Sequence, residues 1–428
     1  MTFWIVLVFI IGYGAITLEH ALKINKSAAA LITGVLTWTL YIVSGHDHEH
    51  INAELMHHLG EAAGIIFFLL GAMVIVEIID AHEGFNTLVE MIRTSRKSQL
   101  VWIISIMTFV LSAILDNLTT TIVMVSLVRR LLRDREDRLM MAGMIVIAAN
   151  AGGAFSPIGD VTTTMLWIKG YVSTGNIILA LFLPSVACLL VPLVLISRRM
   201  QGTLGPMYNQ AEPHQRAVDR QEQRLVLLIG IGALVFTPIF KTITHLPPFM
   251  GILLGLGVVW VVTDLMHHGH EEAYRDRLSI LHALRRIDAA SVLFFLGILL
   301  AVGTLESLGI LRQVAGWMDQ VIGNVSIVAI LIGILSAIVD NVPLVAAAMG
   351  MYSLETYPPD HYFWEFIAYT AGTGGSILVI GSAAGVAAMG MEKIDFFWYL
   401  RRISLPALLG YLAGAGVYML QYSLTHPG

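Results

Sequence analysis

The sequence predicts an all-α polytopic membrane protein made of two inverted repeats, with about ten spanning helices, two re-entrant hairpins and two broken helices. The chain of 428 residues is 57% hydrophobic and only 13% charged, whereas soluble domains carry roughly 25% charged residues. Apolar stretches of membrane-spanning length recur along the chain, and motifs of the first half return in the same order in the second half. These observations indicate a membrane protein with an internal repeat.

Eight apolar stretches are long enough to cross a bilayer without interruption, because a spanning helix needs about 20 residues. They are residues 2–18, 27–45, 61–80, 174–197, 225–243, 247–266, 288–306 and 403–422. Two more apolar stretches, 140–168 and 362–391, are interrupted by glycines. We predict that these two are broken helices, which brings the expected number of spans to about ten.

Segments 100–131 and 325–353 each carry an Asp-Asn pair and a turn near the middle. The two halves of each segment are about 15 residues long, which is too short to cross the hydrocarbon comfortably. Each segment is therefore predicted to be a re-entrant hairpin that enters and leaves the membrane on the same side.

The distribution of basic residues predicts the orientation, since Lys and Arg concentrate on the cytoplasmic side of membrane proteins. With the N-terminus outside, all of the 25 Lys and Arg residues except Lys169, Lys241 and Arg312 fall in inside segments. Both termini are then predicted to lie outside. In this topology no Lys or Arg lies at membrane depth.

Polar residues 198–224 separate the two halves of the chain. They are predicted to form a cytoplasmic linker between the first repeat, residues 1–197, and the second, residues 225–428. The outside segment 46–58 is predicted to be a histidine-rich loop. Histidine clusters can bind zinc or nickel, but a solvated acidic loop is the simpler interpretation.

The internal repeat rests on three matches that occur in the same order. Residues 112–117 match 336–341, residues 152–153 match 374–375, and residues 67–71 resemble 293–297. Each half then holds an odd number of spans, so the second half must run through the membrane in the opposite direction. Inverted repeats with broken helices at matching positions are the best sequence indication of a transporter binding site.

The first broken helix contains groups suited to a cation. Free backbone N–H and C=O groups cost several kcal/mol in hydrocarbon, so an interrupted helix is tolerated where it lines a polar site. Segment 150–160 combines glycines with Asn150, Ser156 and Asp160, and Thr162 follows it. The carbonyl oxygens that such a segment exposes suit a hard cation.

The second broken helix has similar glycines and hydroxyl groups but less charge. Ser376 lies among its glycines, and Ser382 stands where the first copy has Asp160. The predicted site is therefore symmetric in framework and asymmetric in charge, with the ion nearer the first repeat.

The hairpin tips add carboxylates. The first tip offers Asp116, Asn117 and Thr119, and the second offers Asp340 and Asn341. A carboxylate at membrane depth costs roughly 2.5 kcal/mol or more and is a functional hypothesis by default. The alternative is that these acids, like the one in the first broken helix, only cap the helices that follow them.

Glu77 lies one turn before the end of its predicted span and is a further candidate for carrying the proton, although it also fits an interfacial ion pair. The sequence contains no Walker loop, nucleophile elbow or His-Glu-x-x-His helix. We therefore expect no enzyme activity and no cofactor, nucleotide or nucleic-acid site. Transport would be driven by an ion gradient or by the membrane potential.

Segments 116–120, 150–163, 340–345 and 372–376 resemble NhaD-type sodium/proton antiporters of the ion transporter superfamily. The similarity covers nearly the whole chain, and 150–163 is its most specific part. It implies exchange of sodium, with lithium as a second candidate ion, for protons across the lipid bilayer of a bacterial inner membrane by a homodimer. It also implies that the ion is surrounded by Asp116, Asn117, Ser156, Asp160, Thr162, Asp340, Asn341 and Ser376.

In the predicted mechanism, sodium and protons compete for Asp116 and Asp160 first, and then for Asp340, during alternating access. One alternative is a carrier of arsenite or organic anions from the same superfamily, which predicts a larger cavity with cationic or hydroxyl groups at the tips. Another is a channel or a purely structural membrane protein. Carboxylates at both tips favour a cation over an anion.

Overall fold

The computed structural model describes residues 2–44, 47–89, 92, 94–203 and 218–426, which form 22 helical segments. Within these residues the only β-type pairing is a single bridge between Arg96 and Thr203. The predicted all-α membrane fold class is confirmed.

The first half of the chain contains ten of these segments. They are α1 (Thr2–Thr17), α2 (Glu19–Leu22), α3 (Lys26–Val43), α4 (His48–Ala81), α5 (Asn86–Val89), α6 (Lys97–Ser112), α7 (Asn117–Leu131), α8 (Arg135–Ala154), α9 (Val161–Ile168) and α10 (Thr174–Arg199). The predicted hairpin is α6–α7, and the predicted broken helix is α8–α9.

The second half contains the remaining segments. They are α11 (Arg220–Thr244), α12 (Pro248–His267), α13 (Glu272–Arg277), α14 (Ile280–Arg286), α15 (Ala289–Ser307), α16 (Ile310–Ile322), α17 (Val325–Leu335), α18 (Asn341–Met351), α19 (Tyr362–Gly374), α20 (Ala383–Glu392), α21 (Phe396–Arg402) and α22 (Ser404–Thr425). Here the hairpin is α17–α18 and the broken helix is α19–α20.

Six helices among the described residues are long and apolar enough to cross a membrane, namely α3, α4, α10, α11, α12 and α15. The number rises to eight if the bent pairs α16–α17 and α21–α22 each count as one span. The prediction of about ten spans also counts α1, which has 16 residues, and the two broken helices. The count of ten therefore stays a prediction.

The segment predicted to be a histidine-rich loop, 46–58, is helical from His48 onward, and this prediction was wrong for the described part. His46 lies outside the described residues. Helix α4 has 34 residues, so at 1.5 Å per residue it is about 51 Å long. The hydrocarbon core is only about 30 Å thick, so the histidine-bearing turns extend beyond the predicted span 61–80.

The linker predicted at 198–224 is shorter than expected, because α10 continues to Arg199 and α11 begins at Arg220. Asp219 caps α11 through the backbone N–H of Gln221, which explains why the helix starts there. Residues 204–217 lie outside the described residues. Helix α16 was not predicted; it precedes the second hairpin and is bent by 115° from α17.

The helices pack in pairs that correspond between the two halves. Helix α1 packs on α3 as α11 packs on α12, α6 packs on α8 as α17 packs on α19, and α8 packs on α10 as α19 packs on α22. Two further pairs, α4 with α15 and α10 with α22, join equivalent helices of the two halves. The hairpins and broken helices thus lie in equivalent surroundings.

Candidate functional site

The first hairpin is interrupted at residues 113–116, where Asp116 caps helix α7. Its Oδ1 accepts the backbone N–H of Thr119 at 2.8 Å, and its Oδ2 accepts the hydroxyl of Thr119 at 2.7 Å. The backbone of Asp116 lies at φ 153° and ψ 163°, a region that residues with a Cβ rarely occupy. Strained residues of this kind concentrate at functional sites.

The first broken helix is interrupted at residues 155–160, where Asp160 caps α9. Its Oδ1 accepts both the backbone N–H and the hydroxyl of Thr162 at 2.8 Å. In the second broken helix, Ser382 caps α20 by accepting the backbone N–H of Gly385 at 3.2 Å. The capping predicted as an alternative role is therefore present, but it occupies only one oxygen of Asp160.

A chain of buried polar side chains joins these breaks. Nδ2 of Asn117 donates to Oδ2 of Asp160 at 2.8 Å and to Oδ1 of Asn150 at 3.1 Å. Nδ2 of Asn150 donates to the hydroxyl oxygen of Ser382 at 3.0 Å. The four side chains are at most 5% exposed. The first hairpin tip, the first broken helix and the second broken helix therefore meet at one point.

Glycines allow the close approach of hairpins and broken helices, in the same way in both halves. A Cβ on Gly152 of α8 would overlap the carbonyl oxygen of Phe109 in α6. A Cβ on Gly374 of α19 would overlap the carbonyl oxygen of Gly333 in α17. Glycine is required at both positions because the obstructing atoms belong to the backbone.

Serine hydroxyls reinforce the same contact in each half. The Ser112 hydroxyl donates to the carbonyl of Ala149 at 2.6 Å, and the Ser336 hydroxyl donates to the carbonyl of Ala371 at 3.0 Å. The two bonds join matching positions of the repeat that the sequence predicts.

The second tip differs from the first in its partner. Asp340 caps α18 through the backbone N–H of Val342 at 3.2 Å, and its Oδ2 is 2.7 Å from Nζ of Lys26. Nζ of Lys26 also lies 4.5 Å from the centre of the Phe294 ring. The sequence predicted that no Lys or Arg lies at membrane depth, and it gave no indication that Lys26 contacts the second tip. Lys26, at the start of α3, compensates the charge of Asp340.

Two other predicted site residues, Ser156 and Ser376, make local contacts. The hydroxyl of Ser156 donates to the carbonyl of Ala113 at 2.5 Å, and that of Ser376 donates to the carbonyl of Thr373 at 2.6 Å. Asn341 is 5% exposed at the start of α18. The serine hydroxyls hold the breaks in shape, and they contact neither Asp116 nor Asp160.

Comparison with known proteins agrees with this geometry. A family model described as CitMHS, citrate transporter, matches residues 4–374. Sodium/proton antiporter 2 of Arabidopsis thaliana is 50% identical over 96% of this chain and 98% of its own length. The Na(+)/H(+) antiporter NhaD of Vibrio parahaemolyticus is 32% identical over 90% and 97%, respectively. This chain belongs to the CitMHS transporter family, among the NhaD-type members. Sodium/proton antiporter 1 of Arabidopsis thaliana is 52% identical over 98% of this chain and 72% of its own length. The family resemblance noted from the motifs is confirmed, and members of this kind are transporters, not enzymes.

In this NhaD-type chain a cavity of about 330 Å³ leads toward the first hairpin tip. It is lined by residues of α4 and α7 and by the start of α15, and it reaches Thr119, the partner of Asp116. Glu77, predicted as a proton carrier, lies on its wall with an oxygen 2.9 Å from Nη1 of Arg286. The alternative interpretation of Glu77 as part of an ion pair is thus present in the structure.

A second cavity lies at the equivalent place in the other half and has a volume of only about 20 Å³. Its lining corresponds to that of the large cavity at positions 226 residues apart: Met73, Val76, Glu77 and Asp80 match Leu299, Val302, Gly303 and Glu306. The chain is therefore open on one side of the hairpins and closed on the other.

An ion pair lies at the closed side. Nζ of Lys169 is 2.7 Å from Oε2 of Glu61, and both residues line the small cavity. Close to Lys169 in the chain, the hydroxyl of Tyr171 donates a hydrogen bond to the carbonyl of Met349 at 3.4 Å. Burial, and then the charges of Glu306 and Glu61, raise the pKa of Tyr171 to about 12, so its hydroxyl remains a donor.

Proposed function

We propose that this chain is a secondary active sodium/proton antiporter in which sodium and protons compete for buried carboxylates during alternating access. The observation that carries the proposal is the position of Asp160. One of its oxygens caps α9, while the other faces Asn117 at the meeting point of hairpin and broken helices. A carboxylate that is 1% exposed needs a compensating cation, and a sodium ion or a proton each supplies one.

Asp116 and Asp160 are the proposed exchange pair, with Asn117, Thr119, Asn150 and Thr162 positioning them or supplying oxygens to sodium. We propose a smaller role for Asp340 in exchange than the sequence predicted, because Nζ of Lys26 lies 2.7 Å from its carboxylate and already compensates its charge. Ser156, Asn341 and Ser376 act by shaping the breaks. Glu77 is proposed to pass protons along the wall of the large cavity.

The predicted inverted repeat supports alternating access. The corresponding helix pairs, the equivalent glycine contacts and the matching cavity linings all follow the repeat that the sequence predicts. If the second half runs opposite to the first, the two cavities face opposite sides of the membrane. If the large cavity then closed and the small cavity opened, the bound ion would become accessible from the opposite side of the membrane.

The resemblance to NhaD-type antiporters and the charge distribution support finer assignments. We propose a homodimer with both termini outside, and lithium as a second transported ion. A bacterial inner membrane suits the NhaD relatives, while one plant relative is 50% identical to this chain over 98% of its own length.

The second candidate is a carrier of arsenite or organic anions, and the matching family model is described as a citrate transporter. The two carboxylates of the exchange pair argue against an anion carrier, because they would repel an anionic substrate bound beside them. The cation nearest to the second tip, Lys26, is already paired with Asp340.

Fluorescence dequenching in everted vesicles tests the proposal by comparing sodium, lithium, potassium, arsenite, succinate and citrate. We expect sodium to move protons and the anions to have no effect. Asp116→Asn and Asp160→Asn should abolish exchange. Asparagine is as good an N-cap as aspartate, so these variants remove the carboxylate and keep the helix cap. Asp134→Asn is the matched control, because Asp134 is an exposed cap of α8. Near-normal exchange in both site variants would overturn the assignment.

A further inference from the structure

Three side chains from different helices meet where α4 ends, α11 begins and α12 ends. His82 follows α4, Glu222 lies in the first turn of α11, and His267 is the last residue of α12. One ligand atom from each lies within 4.8 Å of the others. Nε2 of His267 is 2.6 Å from Oε1 of Glu222, and Nε2 of His82 is 3.8 Å from the same oxygen.

His82 has the geometry of a metal ligand. Its Nδ1 lies 2.8 Å from the carbonyl oxygen of Ile78, so this nitrogen carries the proton and donates it. The lone pair is therefore on Nε2, which is buried and has no hydrogen-bond partner. Metal-binding histidines are oriented in this way, by donation from the other ring nitrogen to a carbonyl or carboxylate.

The surroundings hold the three groups in place. The rings of His82 and His267 stack with centres 5.2 Å apart. The hydroxyl of Tyr274 donates to Oε2 of Glu222 at 3.3 Å, which leaves Oε1 facing the two imidazoles. His82 and His267 are almost fully buried, whereas the side chain of Glu222 is 13% exposed and gives access from solvent.

We propose that His82, Glu222 and His267 form a binding site for a divalent transition-metal ion, with zinc as the first candidate. Two imidazole nitrogens and a carboxylate oxygen are ordinary zinc ligands, and a water molecule completes the tetrahedron. Ligand atoms at 2.0–2.2 Å from zinc are about 3.3 Å apart in that geometry. The distance between His267 and Glu222 would lengthen by less than an ångström, that between His82 and Glu222 would shorten by about half an ångström, and the two imidazole nitrogens, now within 4.8 Å of each other, would draw together.

The bound ion would tie a helix of the first half to two helices that follow the linker. Helix α4 also carries Glu77 and Asp80 on the wall of the large cavity, close to His82 in the chain. Metal occupancy would therefore fix the end of the helix that borders this cavity. The site is independent of which ion the chain transports.

Cobalt(II) is a suitable probe, because its visible absorption reports low-coordinate geometry. The test uses the full chain in detergent without a polyhistidine tag, treated with chelator. The exposed His48, His50 and His57 are replaced by glutamine in the parent, since they offer a competing cluster. We expect one Co²⁺ per chain with a tetrahedral spectrum, displaced by Zn²⁺, and a melting temperature raised by Zn²⁺.

Glu222→Gln keeps the shape of the side chain but removes the carboxylate, and His267→Gln removes one ligand. Both should weaken Co²⁺ binding at least about tenfold, since even loss of a group that only orients a ligand costs 10–100-fold. His268→Gln, at the exposed neighbouring position, should bind like the parent. Unchanged Co²⁺ stoichiometry and spectrum in monodisperse Glu222→Gln and His267→Gln would show that the cluster is held by hydrogen bonds alone.

Discussion

Asp160 shows why capping and ion binding are compatible at the same residue. Its Oδ1 accepts two hydrogen bonds from Thr162 and thereby caps α9, while its Oδ2 accepts one hydrogen bond from Asn117. A carboxylate has about four acceptor positions, so these bonds leave room for a cation. The resemblance to NhaD-type antiporters implied that Asn117 and Asp160 surround one ion, and Asn150 was a candidate because it lies in the first broken helix.

The partner of Asp340 could not be predicted in the same way. Lys26 begins an apolar span, which at the sequence level is typical of a residue at the membrane surface. Only the folded chain brings it within 2.7 Å of a residue more than 300 positions away. In the sequence, Lys26 was marked only by its position as the basic residue at the very start of a span.

Replacing Asn117 tests the polar chain. Asn117→Ala leaves Oδ2 of Asp160 and Oδ1 of Asn150 without this donor, and a buried unpaired acceptor costs about 1–3 kcal/mol. We expect the KM for sodium to change by roughly fivefold to 150-fold, since 1.4 kcal/mol corresponds to a factor of ten. Dequenching at several sodium concentrations measures it. Asn52→Ala, at an exposed position of α4, is the control. An unchanged sodium KM in folded Asn117→Ala would contradict the proposed role of Asn117 at the site.

Replacing Lys26 tests the ion pair. The pair is partly exposed, with side chains at 24% and 14%, so its loss should cost between the ~1 kcal/mol of a surface pair and the ~3–5 kcal/mol of a buried one. We expect Lys26→Met to lower the melting temperature in detergent. Adding Asp340→Asn should restore part of it, because the uncompensated charge is then gone. Lys23→Met, exposed before α3, is the control; additive effects of the two site changes would argue against direct coupling.

At the scale of elements, the positions of the hairpins and broken helices followed from the sequence. Glycines, proline and Asp-Asn pairs interrupt apolar segments at 113–116, 155–160, 336–340 and 375–382, and the helices end and begin there. The helical start of α4 and the whole of α16 did not follow. The start of α4 contains polar residues that resemble a loop in composition, and its helical state depends on contacts that composition does not encode.

Glycine contacts between elements give a prediction with an internal control. Gly152→Ala and Gly374→Ala each place a Cβ against a backbone carbonyl of the adjacent hairpin helix, which cannot rotate away. We expect both variants to lose exchange and to give less monodisperse protein in size-exclusion chromatography. Gly257→Ala in α12, where a Cβ meets nothing within 4 Å, should behave like the parent. Full exchange by Gly152→Ala would mean that α6 and α8 are not in close contact.

At the scale of the whole molecule, the two cavities distinguish the two sides of the hairpins. One holds about 330 Å³ and the other about 20 Å³, although equivalent residues line them. In an alternating-access transporter with inverted repeats, such inequality is the expected property of a single conformation. The positive-inside rule predicts that the larger cavity faces the cytoplasm, because Arg130 and Arg286 lie on its wall.

Cysteine labelling at equivalent positions tests both the orientation and the closed side. Ile122 lines the large cavity, and Ala346, 224 positions later, lines the small one. In a background with the buried Cys188 replaced by alanine, Ile122→Cys should react with an impermeant maleimide in everted vesicles. Ala346→Cys should react slowly from either side. Adding Glu61→Gln removes the charge paired with Lys169 and should increase labelling of Ala346→Cys from outside. Equal labelling of the two cysteines from the same side would contradict the opposed arrangement of the cavities.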